Sequence, residues 1–516
     1  MLKHKKVLCF VSVLFLLAGL QAQEKKLSLT LDECITRAMK NNLNVAVEVL
    51  NPEIADISIS LAREKFYPTL YFDYNLEDRD EPSFSLIEVA GSVQADYNDY
   101  VGRISQLIPT GGDFSISLYS YRRESNLRYQ TYNPRYTSIL SFDFTQPLLK
   151  DFGFKMSRRE IIVAKNNREV SENQFKGIIM QTIYDVENAY WSLVFSIEDL
   201  RAKKRSLEWA RNFLAKNKRE VEVGTLAPIE ILSAESEVAT READILQAEA
   251  EVKNSEDQLK TIINLIAEEE GFDFEIIPVD EPQFTKREVT FEEVLETALQ
   301  NRPDLYELRA DIENKRINLT YAKNQLLPDL SLRASYWSPG ISGTQLLYDP
   351  SDPFGDPIGS IPGGAVDSFK DAFNFKFRNW SIRLVLNFPL NTMLSRAQHA
   401  QARTELNQSN LRLKNQEQQI ILEVKNAVRS VQTNYKRVQA YRAARVLAEK
   451  TVEAEEKKLK VGLTTHYTLL QHQRDLANAI SAELRAVIDY NLSLAQLDRV
   501  MGVSLKKKNI KFSIFE

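Results

Sequence analysis

The stretch KREVEVGTLAPIEILSAE, residues Lys218 to Glu235, has a counterpart later in the chain. The counterpart is KKLKVGLTTHYTLLQHQR, residues Lys457 to Arg474. Both begin as charged helical sequence, reach Val-Gly, continue through small polar residues and become helical again. The two glycines, Gly224 and Gly462, lie 238 residues apart. Because glycine adopts backbone angles that other residues resist, each stretch predicts a long helix that stops, reverses and restarts.

The two breaks belong to a duplication. LTLDECITRAMKNNLNV, from Leu29, resembles VTFEEVLETALQNRPDL, from Val289, at an offset of 260 residues. The same offset relates AREKFYPTLYFDY to AKNQLLPDLSLRASY, whereas the later landmarks share an offset of 238. The change in offset arises from a difference in length between these two sets of landmarks, so the region between them is expected to carry loops. The sequence therefore predicts two copies of one plan: short helix, helix, strands, very long helix, break and long helix.

Four segments are predicted from this plan. A secretory signal peptide occupies residues 1–22, because Lys3, Lys5 and Lys6 precede an apolar run and Ala22 offers a small residue at the cleavage point. The first repeat covers 23–283, with strands at about 68–146 and long helices at about 157–223 and 228–270. The second covers 284–505, with strands at about 328–388 and long helices at about 392–461 and 464–501. Residues 506–516 form a C-terminal tail.

The long helices are predicted to pack against one another. No glycine or proline occurs from Leu390 to Val461, a length of roughly 108 Å if wholly helical. After the first break an apolar row recurs every seven residues beside a row of glutamates: Ile231, Val238, Ile245, Val252 and Leu259, with Glu235, Glu242, Glu249 and Glu256. Such a strict repeat indicates a narrow coiled-coil seam with water on the other sides.

The segments between the helices alternate apolar and polar residues. The apolar sets are Leu70, Phe72, Tyr74 and Leu76; Leu140, Phe142 and Phe144; Leu330, Leu332, Ala334 and Tyr336; and Trp380, Ile382, Leu384, Leu386 and Phe388. Strands of a membrane β-barrel require this alternation, with one face toward lipid and the other toward water. A β-sandwich in a soluble domain gives the same pattern.

Two regions of the strand segments carry further expectations. Residues 100–108 and 114–121 also alternate and are joined by the turn PTGGD. They either add strands to a barrel or fold over its mouth. Pro339 to Gly364 is rich in glycine and proline, so it is expected to form a loop at the outer rim.

Composition excludes several classes of protein. The chain has 66 Lys+Arg against 71 Asp+Glu, and loss of the leader removes three of the lysines, which argues against nucleic acid as a partner. Loss of the leader also leaves Cys34 as the single thiol, so an internal disulfide is excluded. No later stretch reaches the roughly 18 apolar residues of a membrane-spanning helix.

The sequence shows no group of residues with the spacing of a catalytic, metal-binding or phosphate-binding site. His399, His466 and His472 lack the zinc-binding spacing, and a surface or tunnel-lining position is favoured for His466 and His472. No glycine-rich phosphate loop is present, and the carboxylates lie on helical faces where solvation explains them. The sequence predicts no enzyme activity, no cofactor and no metal.

The duplicated halves, the Val-Gly breaks, the TQPL and NFPL strand-to-helix junctions and the secretory signal together resemble the TolC-like outer-membrane factors. The resemblance runs from Leu29 to about Val503 and leaves no extra domain. It implies an α+β membrane protein, a trimeric outer-membrane β-barrel continued by a long periplasmic α-helical barrel and built from two internal structural repeats. Oligomerisation agrees with the strand count, because four to six strands cannot close around an aqueous channel.

The resemblance also implies a function. The protein would be the exit duct of a tripartite efflux pump or a type I secretion system, in the outer membrane of a diderm, Gram-negative-type cell. Small molecules or polypeptides would reach it from an inner-membrane transporter of the RND or ABC type through a periplasmic adaptor, or membrane fusion protein. Its remaining contacts would be outer-membrane lipid and two further copies of itself. The residues alone leave open an exported structural or adhesive coiled-coil protein without a channel.

The helical tips are the implied adaptor-docking site. The residues concerned are Val223, Gly224 and Thr225 at the first tip, and Val461, Gly462, Leu463 and Thr464 at the second. TolC carries aspartates six and nine residues after the second-tip glycine, and here these places hold Thr468 and Gln471. An acidic ring is therefore not expected. Glu230, Thr468 and Gln471 become the candidates for lining the periplasmic entrance.

Charges beside the tips allow two interpretations. The second tip carries Lys457, Lys458 and Lys460, and the first carries Glu220 and Glu222. They either link neighbouring hairpins and hold the entrance closed, each exposed pair contributing about 0–1 kcal/mol, or form a solvated face.

Overall fold

The computed structural model describes residues 25–84, 91–265, 274–352 and 355–510. The expected signal peptide and residues 511–516 of the expected tail lie outside these ranges. The chain divides into two compact units, one formed by residues up to Pro52, Ser171–Leu308 and Arg412 onward, the other by Glu53–Val170 and Arg309–Leu411. Each unit therefore combines residues from both repeats.

Both copies follow one broad order: a short strand, shorter helices, strands of the sheet and two long helices. The first copy contains β1 (Lys25–Leu29), α1 (Leu31–Asn41), α2 (Leu43–Glu48), α3 (Leu50–Glu64), β2 (Thr69–Pro82), β3 (Ser92–Leu107), β4 (Asp113–Ser125), β5 (Tyr132–Pro147), α4 (Phe154–Ser157), α5 (Arg159–Glu222) and α6 (Ile229–Ile262). The second contains β6 (Phe274–Pro278), α7 (Phe291–Asn301), α8 (Pro303–Asn324), β7 (Asp329–Leu347), β8 (Gly359–Ile361), α9 (Ala365–Phe373), β9 (Asn379–Asn387), α10 (Met393–Lys460), α11 (His466–Val500) and α12 (Ser504–Lys507). Within the described ranges, no helix combines the length and apolarity needed to cross a membrane.

Helix α6 ends earlier than the expected residue 270. Its last helical residue is Ile262, and Asn264 follows in the left-handed region, with a φ of 55°. The Asn42 side chain donates to the carbonyl of Ile262 at 2.8 Å, and the Asn264 side chain donates to the carbonyl of Asn41 at 3.0 Å. The end of α6 is thus fixed by the end of α1, far away in sequence, and not by a local glycine or proline.

Helix α1 begins at a capping box. Thr30 Oγ1 accepts from the backbone N–H of Glu33, whose carboxylate accepts from the backbone N–H of Thr30. The inner face of the helix buries Cys34, Ile35 and Ala38 in the core of the first unit. Burial raises the pKa of the Cys34 thiol to about 12.

Two buried tyrosines hold the segment that joins the repeats. The Tyr190 hydroxyl of α5 accepts from the backbone N–H of Asp280 at 3.0 Å, and β6 pairs in parallel with β1 beside it. The Tyr490 hydroxyl of α11 donates to the carbonyl of Thr285 at 2.8 Å and accepts from the N–H of Arg287 at 3.2 Å. The two repeats therefore anchor their connection in the same way within the first unit.

The second unit contains one sheet. Its strand order is β2-β3-β4-β5-β7, and both β8 and β9 pair with β7; all neighbours are antiparallel. Strands β3 and β4 contain the two surplus segments at 100–108 and 114–121. These segments add strands to the sheet between β2 and β5.

The expectation of a loop from Pro339 to Gly364 is wrong for the first part of that segment, Pro339 to Leu347. Strand β7 continues through Pro339 to Leu347, and α9 begins directly after the segment. At Gly340 a Cβ atom would lie 1.9 Å from the carbonyl oxygen of Ser368 in α9. Glycine is used here for close packing of a helix on a strand, which a local reading of glycine as a loop signal does not distinguish.

Candidate functional site: the two helical tips

The first tip is a helix end closed by glycine. Gly224 has a φ of +77°, its N–H donates to the carbonyl of Val221 at 3.0 Å, and the N–H of Thr225 donates to the carbonyl of Glu220 at 2.9 Å. This pair of hydrogen bonds is the Schellman motif, which satisfies the last carbonyls of α5. Thr225 Oγ1 also donates to the Glu220 carbonyl, at 2.9 Å.

The second tip repeats this geometry. Gly462 has a φ of +75°, its N–H donates to the carbonyl of Leu459 at 3.1 Å, and the N–H of Leu463 donates to the carbonyl of Lys458 at 3.0 Å. Helix α11 then restarts after Thr465, whose hydroxyl accepts from the N–H of Thr468 at 3.2 Å. The structure thus has two helix reversals with the same stop signal, as the duplicated stretches predict.

A charged ladder joins the two helices of the first hairpin. Three residues of the glutamate row that the sequence shows on α6 pair with three cations on α5: Glu235 with Lys218 at 2.9 Å, Glu242 with Arg211 at 2.7 Å, and Glu249 with Lys204 at 2.9 Å. The cations are also spaced by seven residues. The matching spacing is visible in the sequence, and it is the signal that the sequence analysis missed.

The seam between these helices also contains polar residues. The buried Arg241 guanidinium donates to the backbone carbonyl and hydroxyl of Ser206 at 2.6 and 2.7 Å, and it pairs with Glu237 at 2.8 Å. Nearer the tip, the side chain of Asn217 donates to the carbonyl of Glu230 at 3.4 Å. Each of these groups fixes the register of α5 against α6.

The second hairpin has its own cross-helix pairs. The Glu483 carboxylate on α11 accepts from Arg442 and Arg445 of α10, and Asp489 accepts from Arg437 at 3.3 Å. Both hairpins are therefore antiparallel helix pairs held by charges along their length.

The two hairpins contact each other through α5 and α11. The Ser481 hydroxyl donates to Asp199 at 2.8 Å, and His466 Nε2 lies 3.7 Å from Glu220 Oε1. The His466 ring packs 5.7 Å from the ring of Phe213. His466, expected at a surface or in a tunnel, is thus a half-buried contact between the two tips. Its position opposite Glu220 cannot be read from the sequence, because 246 residues separate them.

Burial lowers the pKa of His466. Desolvation is the largest cause, the nearby Lys216 ammonium adds to it, and the Glu220 carboxylate opposes it. The neutral imidazole is therefore the form that fits this contact.

The tip residues differ in exposure. Val223 and Leu463 are 73% and 77% exposed, and Val461 is exposed as well. Thr464 is half-buried beside Glu455, and hydrogen bonds from Lys458 and from Thr464 hold the pKa of that carboxyl below its usual range. An apolar surface thus lies directly beside each glycine.

The candidate entrance residues lie near the starts of the restarting helices. Glu230 and Thr468 are half-buried, and Gln471 is exposed. Glu230 belongs to the first hairpin, whereas Thr468 and Gln471 belong to the second. Among the residues that the structure describes, no group of three or more His, Cys, Asp or Glu residues is placed to hold a metal ion.

The lysines of the second tip form pairs within their own helix. Lys457 contacts Glu453 and Lys458 contacts Glu455, each at 2.7 Å. Neither of these pairs links the two hairpins, which contact each other through His466 and Glu220 and through Ser481 and Asp199.

The regions that match a known protein family correspond to the two repeats. A family model described as outer membrane efflux protein matches residues 34–265 and 294–503, which lie one in each copy. A comparison with curated protein sequences gave no match.

Several solved structures share the fold. The outer-membrane channel OprN is 15% identical, with a TM-score of 0.65 over 92% of this chain and 90% of that one. The CmeC outer membrane channel of Campylobacter jejuni is 14% identical, with a TM-score of 0.64 over 93% and 89%. The outer membrane protein VceC of Vibrio cholerae is 16% identical, with a TM-score of 0.61 over 92% and 96%.

These likenesses confirm the TolC-like fold expected from the sequence, an α+β architecture of two repeats. They also confirm the outer membrane as its location. Since the family model matches both repeats and most of the sequence, the chain belongs to the outer membrane efflux protein family, whose members are channels.

Proposed function

We propose that this outer-membrane efflux channel is the exit duct of an assembly that begins at the inner membrane. An inner-membrane transporter of the RND or ABC type would deliver substrate through a periplasmic adaptor to the helical tips. The observation that carries the proposal is the pair of matched tips, each closed by a left-handed glycine beside exposed apolar side chains. The efflux description of the family favours a pump, and type I secretion is the alternative.

The tips have the properties of a docking surface. Val223 and Val461 precede the two glycines and expose most of their surface, and Leu463 adds a third apolar side chain. Apolar surface removed from water gains about 25 cal/mol per Å², so a partner covering these side chains would bind favourably. Open space surrounds both glycines: a Cβ atom added to either one would have no atom within 4 Å beyond its chain neighbours. A partner backbone can therefore approach closely.

The sheet supports a trimer. Within the described residues it has six long strands, and β2 and β9 form its edges, each with one paired neighbour. Lipid does not satisfy open strand edges, so β2 of one copy would pair with β9 of the next. Three copies would supply about 18 strands, a number that leaves an aqueous channel.

The entrance residues are part of the proposal. In the trimer, Glu230, Thr468 and Gln471 would repeat three times around the periplasmic opening. Glu230 would supply the negative charge there, because Thr468 and Gln471 are neutral. The opening would then be less sensitive to cations than one with two acidic rings.

Bulky substitution of the tip glycines tests the docking role. In the double variant Gly224→Val and Gly462→Val, we expect cross-linking to the adaptor to be lost while trimers persist. The β-branched side chain opposes a positive φ and fills the open space at each tip. The measurement is cysteine cross-linking between tip and adaptor in cells, with trimers scored on gels without boiling.

Gly177→Val is the matched control. Gly177 lies within α5, has no positive φ and has no atom within 4 Å of a built Cβ. It should leave cross-linking and trimers unchanged. Unchanged cross-linking in the double variant would contradict the docking role. Co-purification with an RND or an ABC transporter would decide between the two classes.

A further inference from the structure

One face of the sheet in the second unit carries a continuous apolar row. Strand pairing places Leu70, Ile104, Ile116, Phe142, Tyr336 and Trp380 side by side across six strands. The next row on the same face contains Phe72, Leu118 and Leu140. In a protein of the outer membrane, this apolar face is the one that meets lipid.

The apolar face gives way to polar residues at a defined level. Two rows from Leu70, the same face carries Tyr74, Tyr100, Ser120, Ser138 and Gly340, and the row after that contains Leu76, Asn98, Arg122, Tyr136 and Ser342. The helices that flank the sheet in sequence all join it at the other end, since α3 and α8 precede β2 and β7, and β5 and β9 precede α4 and α10. The change from apolar to polar therefore lies toward the end away from the helices.

Helix α9 packs on the apolar face at this level. The hydroxyl oxygens of Ser368 and Ser138 lie 2.8 Å apart, and Ser368 and Ala372 are fully buried. Gly340 leaves room for the helix backbone. Phe375, just after the helix, packs 6.3 Å from the ring of Phe142 and 5.8 Å from that of Tyr336 in the apolar row.

The flanks of α9 differ in character. Val366 and Phe373 lie two turns apart on one flank and are 64% and 52% exposed. Asp367 and Asp371 lie one turn apart on the opposite flank, and they pair with Lys370 at 3.7 Å and with Lys376 at 2.7 Å. A helix with one apolar and one charged flank is suited to the boundary between hydrocarbon and headgroups.

We infer that α9 is an interfacial helix that binds the outer-leaflet lipid surface. Its apolar flank, with Val366 and Phe373, contacts the acyl chains, and its charged flank faces the headgroups and water. The occupant is lipid because the helix lies on the lipid-facing side of the sheet, at the end of the apolar rows, beside the aromatic rings of Tyr336 and Trp380. The inference rests on the outer-membrane location and not on adaptor docking.

Spin labels on the helix test this inference. Variants with one added cysteine, Val366→Cys, Phe373→Cys and Asp367→Cys, are spin-labelled in proteoliposomes, where the native Cys34 is buried. Collision rates with oxygen and with a water-soluble nickel chelate are then measured. We expect the ratio of oxygen to nickel collisions to be several-fold higher at positions 366 and 373 than at 367. Leu384→Cys on the apolar face and Ser360→Cys on exposed β8 supply the lipid and water references.

Two results would overturn the inference while leaving the channel intact. If the ratio of oxygen to nickel collisions at positions 366 and 373 equals the ratio at 360, and the ratio at 384 is high as expected in lipid, the helix lies in water. Low collision rates with both reagents would show that protein covers the flank. A ratio at 384 as low as the ratio at 360 would overturn this inference together with the membrane position of the sheet.

Discussion

At the residue scale, the least expected contact is that of His466. It lies at the first residue of α11, packs on Phe213 and faces Glu220, with Lys216 nearby on α5. Because its pKa is lowered below the ordinary value of 6.5, the unfolded or separated state binds the proton more tightly than the packed state. Protonation therefore opposes the contact between the two tips.

Acid should loosen this contact. The stability that the neutral ring contributes is present above pH 6.5 and is lost as the pH falls through the lowered value. We expect hydrogen exchange of residues 463–470, corrected for intrinsic rates, to become several-fold faster at pH 5.5 than at pH 7.5.

His466→Phe is the control for this prediction. It keeps the ring contact with Phe213 and does not titrate in this range. The acid-induced change should vanish in this variant. An equal change in both proteins would assign the effect to other groups.

At the element scale, the charged ladder sets the register of the first hairpin. Its three pairs are partly exposed, with side chains 46–60% accessible, so each contributes about 0.2–1 kcal/mol. The seven-residue spacing matches the period of the apolar seam, so a slip of one residue would separate every pair.

Reversal of one side of the ladder should weaken the hairpin. The triple variant Lys204→Glu, Arg211→Glu and Lys218→Glu places like charges opposite one another. We expect a loss of about 0.2–1 kcal/mol per pair, seen as faster exchange of α6 amides at low salt and reduced by 0.5 M salt.

The matched control reverses the charges on both helices of the ladder. Adding Glu235→Lys, Glu242→Lys and Glu249→Lys to the triple variant should restore protection. Failure to restore it would show that the pairs do not set the register.

The elements also show what the sequence can and cannot predict. The tips were predictable, because the Val-Gly signals and the heptad rows are local. Helix α9 was not, because Gly340 resembles a loop residue until the helix that packs on it is known. The end of α6 and the contact of His466 with Glu220 were hidden for the same reason: their partners are distant in sequence.

At the scale of the whole molecule, the alternation of the sheet and its open edges support the proposed pore made of several copies. Purified protein should run as a trimer that resists detergent and should conduct ions in planar bilayers. Monomers in the soluble fraction, with no current, would contradict the channel.

Two neighbouring residues of β9 provide a face-specific test. Leu384→Arg should lower the yield of membrane trimers, because a cation on the lipid face costs about 2–4 kcal/mol near the bilayer midplane. Val385→Arg, on the opposite face, should leave trimers and conductance. A loss of trimers with Val385→Arg alone would reverse the assignment of the two faces.

The burial of Cys34 has a practical and a biological consequence. A thiol whose pKa is about 12 gives almost no thiolate at neutral pH, and thiolate is the species that attacks disulfides and alkylating reagents. Crowded copies in an oxidising compartment would therefore not become covalently joined through it. For the same reason, a maleimide added to the folded protein should modify an introduced surface cysteine and spare the native one.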